Sequence, residues 1–590
     1  MDVLGSIAQA VPSANLTSLR LVSRRWCCAV DRLAINRVTI SRRKLPYVGT
    51  MGDALCALGT RFDGLRELKI DVAAFGAKFP ATVVVPKGQV EQIKAAIGAP
   101  WLGDPTHIFG LVQSLTALDL SYTLVGSEVF AQLSAFAKLR HLDLSRTGME
   151  SSSLAGLAGL TRLTELNLEG CKRVGDQGMA ALATLTALIS IDLSNTSAGD
   201  DGAMHLSCLT CLRSFIATGT GIGTEGISHL SACTGLTCVR IHQTGYAGQE
   251  DAALLLAHSQ LRCLFLGSCK QITNLHCLSS LTHLTALNLN IPHTGAEGLT
   301  FLPSLSGLTS LDLSCVDLGD ALGFTCLGAL TGLTWLDLDA TSLTNEDVAE
   351  LEHLTALRAL SLAEVRISKD GIANLSSLSA LEELNLAGTL TTSDAITLLV
   401  VLTRLRSINL CYTPLFNKGI WLVASLSGLK SLDLSSTQID MVAMQHLLAL
   451  TLLECLHLES TGMSDLVAGS LTCLARLKLL SVANNPVGNA ALANYSFLSA
   501  LECLSLKGTR VGRVGIMCLS GLCRLHTLNL YGTGVDDSCL EAILGIASLT
   551  TVDLEGTQVE QFDALETLNM RNTMMGFTWS MTPADAWTEP

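Results

Sequence analysis

Apolar and polar positions alternate along this chain in one short phrase, Leu-x-x-Leu-x-Leu, that returns about every 24 residues. Nineteen such blocks open from Leu115, Leu139, Leu163 and Leu188 through to Leu525 and Leu549. A weaker copy starts at Leu65, and a shortened one at Leu565 follows its predecessor by only 16 residues. In the block LTALDLSYT, Leu118 and Leu120 point one way while Ala117 and Asp119 point the other, the two-residue period of a half-buried strand. A turn such as Val174–Gly178 follows, then an apolar run such as Met179–Leu185 whose spacing predicts a short helix. One strand-plus-helix unit cannot bury its own apolar face, so repetition at this period predicts a stacked α/β solenoid. Parallel strands should line one side and helices the other. Helices are bulkier than the ~4.8 Å between strands, so the stack should bend into a horseshoe with strands on the concave side, roughly 90 Å along the arc.

These residues resemble leucine-rich-repeat proteins, particularly the helix-bearing intracellular type, over about residues 60–575. In that family the slot three positions after the last leucine usually holds Asn. Here it is mostly Thr (Thr123, Thr147, Thr437, Thr509, Thr557), with Cys171, Cys269 and Asn485 as variants. A hydroxyl or thiol filling that turn has less hydrogen-bonding capacity than an amide. The chain thus divides into a segment at 1–44, an irregular first repeat with an insertion at 45–108, the repeat array at 109–575 and a tail at 576–590. Within 71–108, which reads as an insertion or an end cap, a strand is expected at Thr82–Val85 and a helix at Gln89–Ile97.

Composition favours a recognition surface over an aromatic-lined cavity, since 48% of residues are hydrophobic but only 4% are aromatic. Net charge is −14, divided as +6 on residues 1–44 and −20 on the rest. An acidic body argues against a nucleic-acid partner, because phosphate neutralisation needs clustered Lys and Arg. The 20 cysteines are scattered, without the paired clusters that cap secreted repeats. Cys277, Cys326 and Cys518 each precede the next block's first leucine by seven residues, a phase that reads as a small buried packing position. No signal-peptide pattern and no apolar run near the ~20 residues of a membrane span is present, so a cytoplasmic or nuclear setting without membrane contact is expected. Sequons at Asn15, Asn195, Asn374 and Asn494 are then expected to be unused.

The N-terminal segment carries helical spacing at Leu4, Ile7 and Val11 before Pro12, then at Leu16, Leu19, Val22, Trp26 and Val30. Val11-Pro12, the stretch Leu19-Arg20-Leu21-Val22-Ser23-Arg24-Arg25-Trp26 and Val30-Asp31 resemble an F-box, although the usual opening Leu-Pro is absent. That resemblance implies binding to the linker subunit of a cullin-type ubiquitin ligase through Leu4, Ile7, Pro12, Leu19, Val22, Arg24, Arg25 and Trp26. Alternatively, these helices cover the first strand's apolar edge, as terminal repeats require.

On the concave face, the position between the second and third leucines is mostly Asp, Asn or Ser, which reads as a solvated polar ladder. Three consecutive repeats break it. Ile216, Cys238, Arg240, His242, Cys263 and Phe265 should form a local apolar and basic patch, and Arg with aromatics are favoured interface anchors. Irregular repeat packing is the competing account of that patch. Trp335, Tyr412, His457 and Tyr531 are isolated further candidates for partner contact. Adjacent aspartates such as Asp312 and Asp337 could imitate an acid–base pair, but the repeat itself generates their spacing and no pocket is implied. Cys208-Leu-Thr-Cys211 is a lone CxxC without a second ligand pair, so no metal, cofactor or catalytic residue is expected. The expected function is non-catalytic protein binding on the concave face, as a ligase substrate receptor. The alternatives are a structural or signalling scaffold without ubiquitin chemistry, or a secreted or host-delivered effector.

Overall fold

The computed structural model describes residues 116–570, apart from 122–129, 131–132, 136, 242–249, 268–271, 274, 292–295, 319–320, 438–440 and 561–568, together with three earlier strands. Those strands are Arg37–Ile40, Glu67–Asp71 and Thr82–Val84. The F-box-like residues Leu4, Ile7, Pro12, Leu19, Val22, Arg24, Arg25 and Trp26, the helix expected at Gln89–Ile97, and His242 lie outside the described residues.

The chain forms two compact units, Met1–Leu284 and Thr285–Pro590. In the first, seven three-residue strands occur at the seven regular blocks from Ala117–Asp119 to Cys263–Phe265. All seven pair in parallel with their neighbours in unbroken register, Leu142 opposite Leu166 and Phe215 opposite Val239. Twelve more do the same in the second unit, from Ala286–Asn288 to Thr551–Asp553. The shortened last block adds a further strand, Asn569–Met570, paired with Thr551 and Val552. Each strand's central residue points into the core: Leu166 is 2% exposed and Ile191, Phe215 and Leu311 are 0%. A leucine spine stacked at the ~4.8 Å strand spacing is therefore the core, as the Leu-x-x-Leu-x-Leu phase requires. This is the leucine-rich-repeat solenoid fold.

The irregular start joins the same ribbon. Arg37–Ile40 pairs in parallel with Glu67–Ile70, a strand unforeseen in the sequence. Thr82–Val84 is a strand as expected, but it runs antiparallel between Glu67–Asp71 and Ala117–Asp119. The insertion thus contributes to the ribbon itself.

The outer elements are shorter than the sequence pattern suggests. In place of one helix over Met179–Leu185, an α-turn at Asp176–Met179 passes into a 3₁₀ turn at Ala180–Thr184, closed by the Leu185 amide on the Leu182 carbonyl. The longest α-helix among the described residues, Ala321–Gly328, has eight residues. A repeat of this length must also cross the stack twice, so only one or two turns remain. Met179, Leu182 and Leu185 are fully buried beneath them. Cys277, Cys326 and Cys518 are only half-buried, contrary to the packing role expected of them. The next residue in each case, Leu278, Leu327 or Leu519, takes the core position.

Several helix starts are capped from the preceding repeat. Asp176 Oδ1 accepts the Gly199 and Gly202 amides at 2.6 and 3.1 Å, and Asp200 Oδ1 accepts those of Gly223 and Gly226, both at 2.8 Å. Asn489 does the same for Gly512 and Gly515 at 2.9 and 3.0 Å. The N-cap residues Gly199, Gly223 and Gly512 have no side chain for this task, so a neighbouring module satisfies the orphan amides. A Cβ on Gly226 would lie 2.4 Å from Asp200 Oδ1, which explains the glycine there.

Candidate functional site

Every regular strand presents two side chains on the face opposite the core, one before and one after its central residue. The second of these forms the polar column. Asp143 Oδ1 accepts the Ser145 amide at 2.8 Å, Asn167 Oδ1 that of Glu169 at 2.9 Å, and Asp192 Oδ1 that of Ser194 at 2.8 Å. Asp433 and Asn529 repeat the contact in the second unit. Asp and Asn therefore recur because their side chains turn the chain out of the strand. In the second unit the column is not solvated as expected: Ser361 is 1% exposed, Asn409 5% and His457 4%. Neighbours only one strand away cover one another.

That crowding shifts acidity. Burial, with the charges of Asp339 and Asp312 beside it, raises the Asp337 carboxyl to about 8. Asp339 is also raised, first by burial, although Ser361 Oγ and the Ala363 amide (2.7 Å) donate to it. Asp312 and Asp337 are directly opposed in register, but Asp312 Oδ1 takes the Ser314 amide and hydroxyl, at 2.9 and 2.6 Å, and Asp337 Oδ1 takes the Asp339 amide. These carboxylates are engaged in turn formation rather than poised as an acid–base pair.

The predicted patch lies in the first unit. Ile216, Arg240 and Phe265 are consecutive in the column, with Ile216 opposite Arg240 and Arg240 opposite Phe265. The Arg240 guanidinium sits 4.6 Å from the Phe265 ring centroid, a cation–π arrangement, and all three side chains are half-buried. Cys238, at 3% exposed, offers almost no surface, whereas Cys263 is half-buried. Trp335 and Tyr412 belong to the other unit. Trp335 is only 6% exposed, and Tyr412 is 72% exposed in the turn after its strand, where its φ is 55°. His457 is buried, and Tyr531 is half-exposed with the Lys507 ammonium 4.9 Å from its ring.

Sequence reading passed over a groove beside the patch. Its volume is about 360 Å³, and it is lined by His141, Asp143, Glu165, Asn167, Ser190 and Asp192, ending on Ile216. His141 Nδ1 is 2.8 Å from Glu165 Oε2. Burial lifts Asp192 above the ordinary carboxylate range, opposed by its bonds from Ser194 and by the Arg240 charge. The signal was present in the residue preceding each strand's central position, where His141 and Glu165 stand between the small Ala117 and Ser190. Cys208 and Cys211 are exposed, and the Cys208 thiol donates to the Ala183 carbonyl at 3.1 Å. Among the described residues no group of three His, Cys, Asp or Glu is placed to hold a metal, and no helix is long and apolar enough to cross a membrane.

The chain is similar in fold to several solved structures. An internalin from Listeria monocytogenes shares 21% identity over 64% of this chain and 88% of its own, with a TM-score of 0.36. A chain of the mouse RP105/MD-1 complex shares 19% identity over 78% of each chain, with a TM-score of 0.46. A chain of a TLR13–ssRNA13 complex shares 18% identity over 79% of this chain and 71% of its own, with a TM-score of 0.47. No protein-family model and no curated protein sequence matches the chain.

Proposed function

We propose that this leucine-rich-repeat protein binds a protein partner on the strand face of its first unit and serves as the substrate-recognition subunit of a cullin-type ubiquitin ligase in the cytosol or nucleus. The observation that carries the binding reading is the Arg240–Phe265 stack beside Ile216, the one interruption of the Asp/Asn/Ser/His column. Replacing turn-forming residues by a guanidinium, a ring and a branched alkyl group gives up three local hydrogen bonds and supplies favoured interface anchors. The F-box-like residues Leu19–Trp26 support the ligase reading through sequence resemblance alone. The protein itself transfers nothing; it raises the effective concentration of a target beside the enzyme that modifies it.

Affinity capture from a cell extract, using the intact chain and one lacking residues 1–36, tests this assignment. The deletion stops at Asn36 because Arg37–Ile40 is paired into the ribbon. Recovery of a cullin linker subunit with the intact chain alone supports the ligase role. Recovery with neither chain removes it and leaves a binding scaffold.

A further inference from the structure

The groove next to the Arg240–Phe265 stack has the charge pattern of a receptor for a cation. Asp143 and Asp192 face Asn167 from the strands on either side, about 10 Å apart across two strand spacings, and Glu165 lines the same groove from the middle strand, two residues before Asn167. Asp143 Oδ1 accepts the Ser145 amide and its Oδ2 the Asn167 side-chain amide at 3.2 Å. Glu165 faces His141, and Asp192 Oδ1 accepts the Ser194 amide, so the groove's carboxylates are held in place by neutral or titratable donors. The groove floor changes character at the fourth strand, where Ile216 follows Asp192. On that same strand the Ser214 hydroxyl is 1% exposed and has no hydrogen-bond partner among the described residues. Ser214 faces the same side as Ser190, its register partner, and Ile216, both of which line the groove. Polar demand and apolar surface therefore meet at one edge of an acidic depression.

We infer that this groove takes a lysine or arginine side chain of an extended segment of the protein partner, with an apolar residue two positions away resting on Ile216. In an extended chain, residues two apart share a face and are separated by about 6.7 Å. That distance spans from between the Asn167 and Asp192 strands to the Ile216 strand at ~4.8 Å per strand. The −20 charge of residues 45–590 opposes an acidic segment at this site. The inference rests on the binding reading above and specifies the chemistry of what is bound.

The test is selection of a random peptide display library on the full chain, followed by anisotropy measurements with labelled winners. They are measured against the parent, an Asp143→Asn/Glu165→Gln/Asp192→Asn variant, and Arg240→Glu. The amides preserve the turn contacts, since Asn167 Oδ1 already accepts the Glu169 amide in the same role, and thermal melts verify the fold. The expected winners carry a basic-x-apolar motif, lose at least tenfold in affinity on the neutralised groove, and weaken as salt rises. Winners without a basic residue, or insensitive to neutralisation yet lost on Arg240→Glu, overturn the groove assignment while leaving the strand-face reading intact. Winners indifferent to both variants overturn both.

Discussion

The Asn485 side-chain amide donates to the Leu458 carbonyl at 2.7 Å, reaching back across a repeat boundary. Its oxygen accepts the Thr461 and Met463 amides at 3.1 and 2.9 Å, and its nitrogen also reaches the Val482 and Ala483 carbonyls. Threonine in the same slot does far less: Thr509 Oγ1 donates to Leu506 within its own turn at 2.6 Å. Asn485→Thr should therefore lower stability by about 1–3 kcal/mol, because buried polar groups in two repeats lose partners. The denaturant midpoint of the second unit's unfolding measures this. An unchanged midpoint would show that the bridging bonds contribute nothing.

Inter-repeat capping predicts a coupling. Asp200→Ala should cost about 1–2 kcal/mol by freeing the Gly223 and Gly226 amides. Gly226→Ala should cost at least as much, since its Cβ would meet Asp200 Oδ1 at 2.4 Å and Ile222 Cγ2 at 2.7 Å. The double variant should lose less than the sum of the two single losses, because one clash has vanished with the carboxylate. Strict additivity in urea melts would contradict the shared contact.

The turn after most of the strands passes through the left-handed region. Glycine supplies it at Gly508 (φ 64°), whereas Ala340 occupies it with φ 54°. Ala340→Gly should stabilise by about 1 kcal/mol through relief of backbone strain. Gly508→Ala should destabilise by more, since its Cβ would fall 2.4 Å from Asn484 Oδ1. Thermal shifts of the same sign for both changes would refute this account.

Two buried groups give opposite pH dependences. His258 is 0% exposed, its Nε2 is 3.4 Å from the Ile227 carbonyl, its Nδ1 has no hydrogen-bond partner among the described residues, and burial lowers its pKa against the backbone groups of Ile227 and Cys233. The unfolded chain binds the proton first, so His258 destabilises as pH falls below about 6.5. His258→Leu should raise stability by about 1–3 kcal/mol, more at pH 5 than at pH 8. Asp337 is raised from 3.8 to about 8, so the folded chain holds a proton that the unfolded chain has lost. Its contribution is fully present below about 3.8 and disappears as pH rises through about 8. Asp337→Asn should therefore gain in relative stability from pH 5 to pH 9. Melting temperatures across that range test both signs.

The leucine spacing made the ribbon, its parallel order and its register legible, because an unbroken period admits one stacking. Thr82–Val84 was also legible as a strand, but its antiparallel direction was not, since direction depends on the chain path between residues 71 and 82. The outer face was read too regularly: apolar period alone cannot separate an α-turn from the 3₁₀ turn at Ala180–Thr184. Ile216, Arg240 and Phe265 stood out because they broke a pattern. The groove did not, because His141 and Glu165 each look ordinary until register places them 2.8 Å apart. The Asp200–Gly226 contact spans 26 residues, beyond the reach of any local motif.

That last contact has a direction. The carboxylate of Asp200 lies upstream of the amides it fixes, as do those of Asp176 and the amide oxygen of Asn489. Trimming the chain from its C-terminal side leaves a bare oxygen that water readily solvates, whereas trimming from the N-terminal side strands donor groups at a half-buried helix start. At these helix starts the two directions of proteolysis are therefore unequal, and nibbling from the rear is the better tolerated until it removes Asn485, which leaves the Thr461 and Met463 amides without their acceptor.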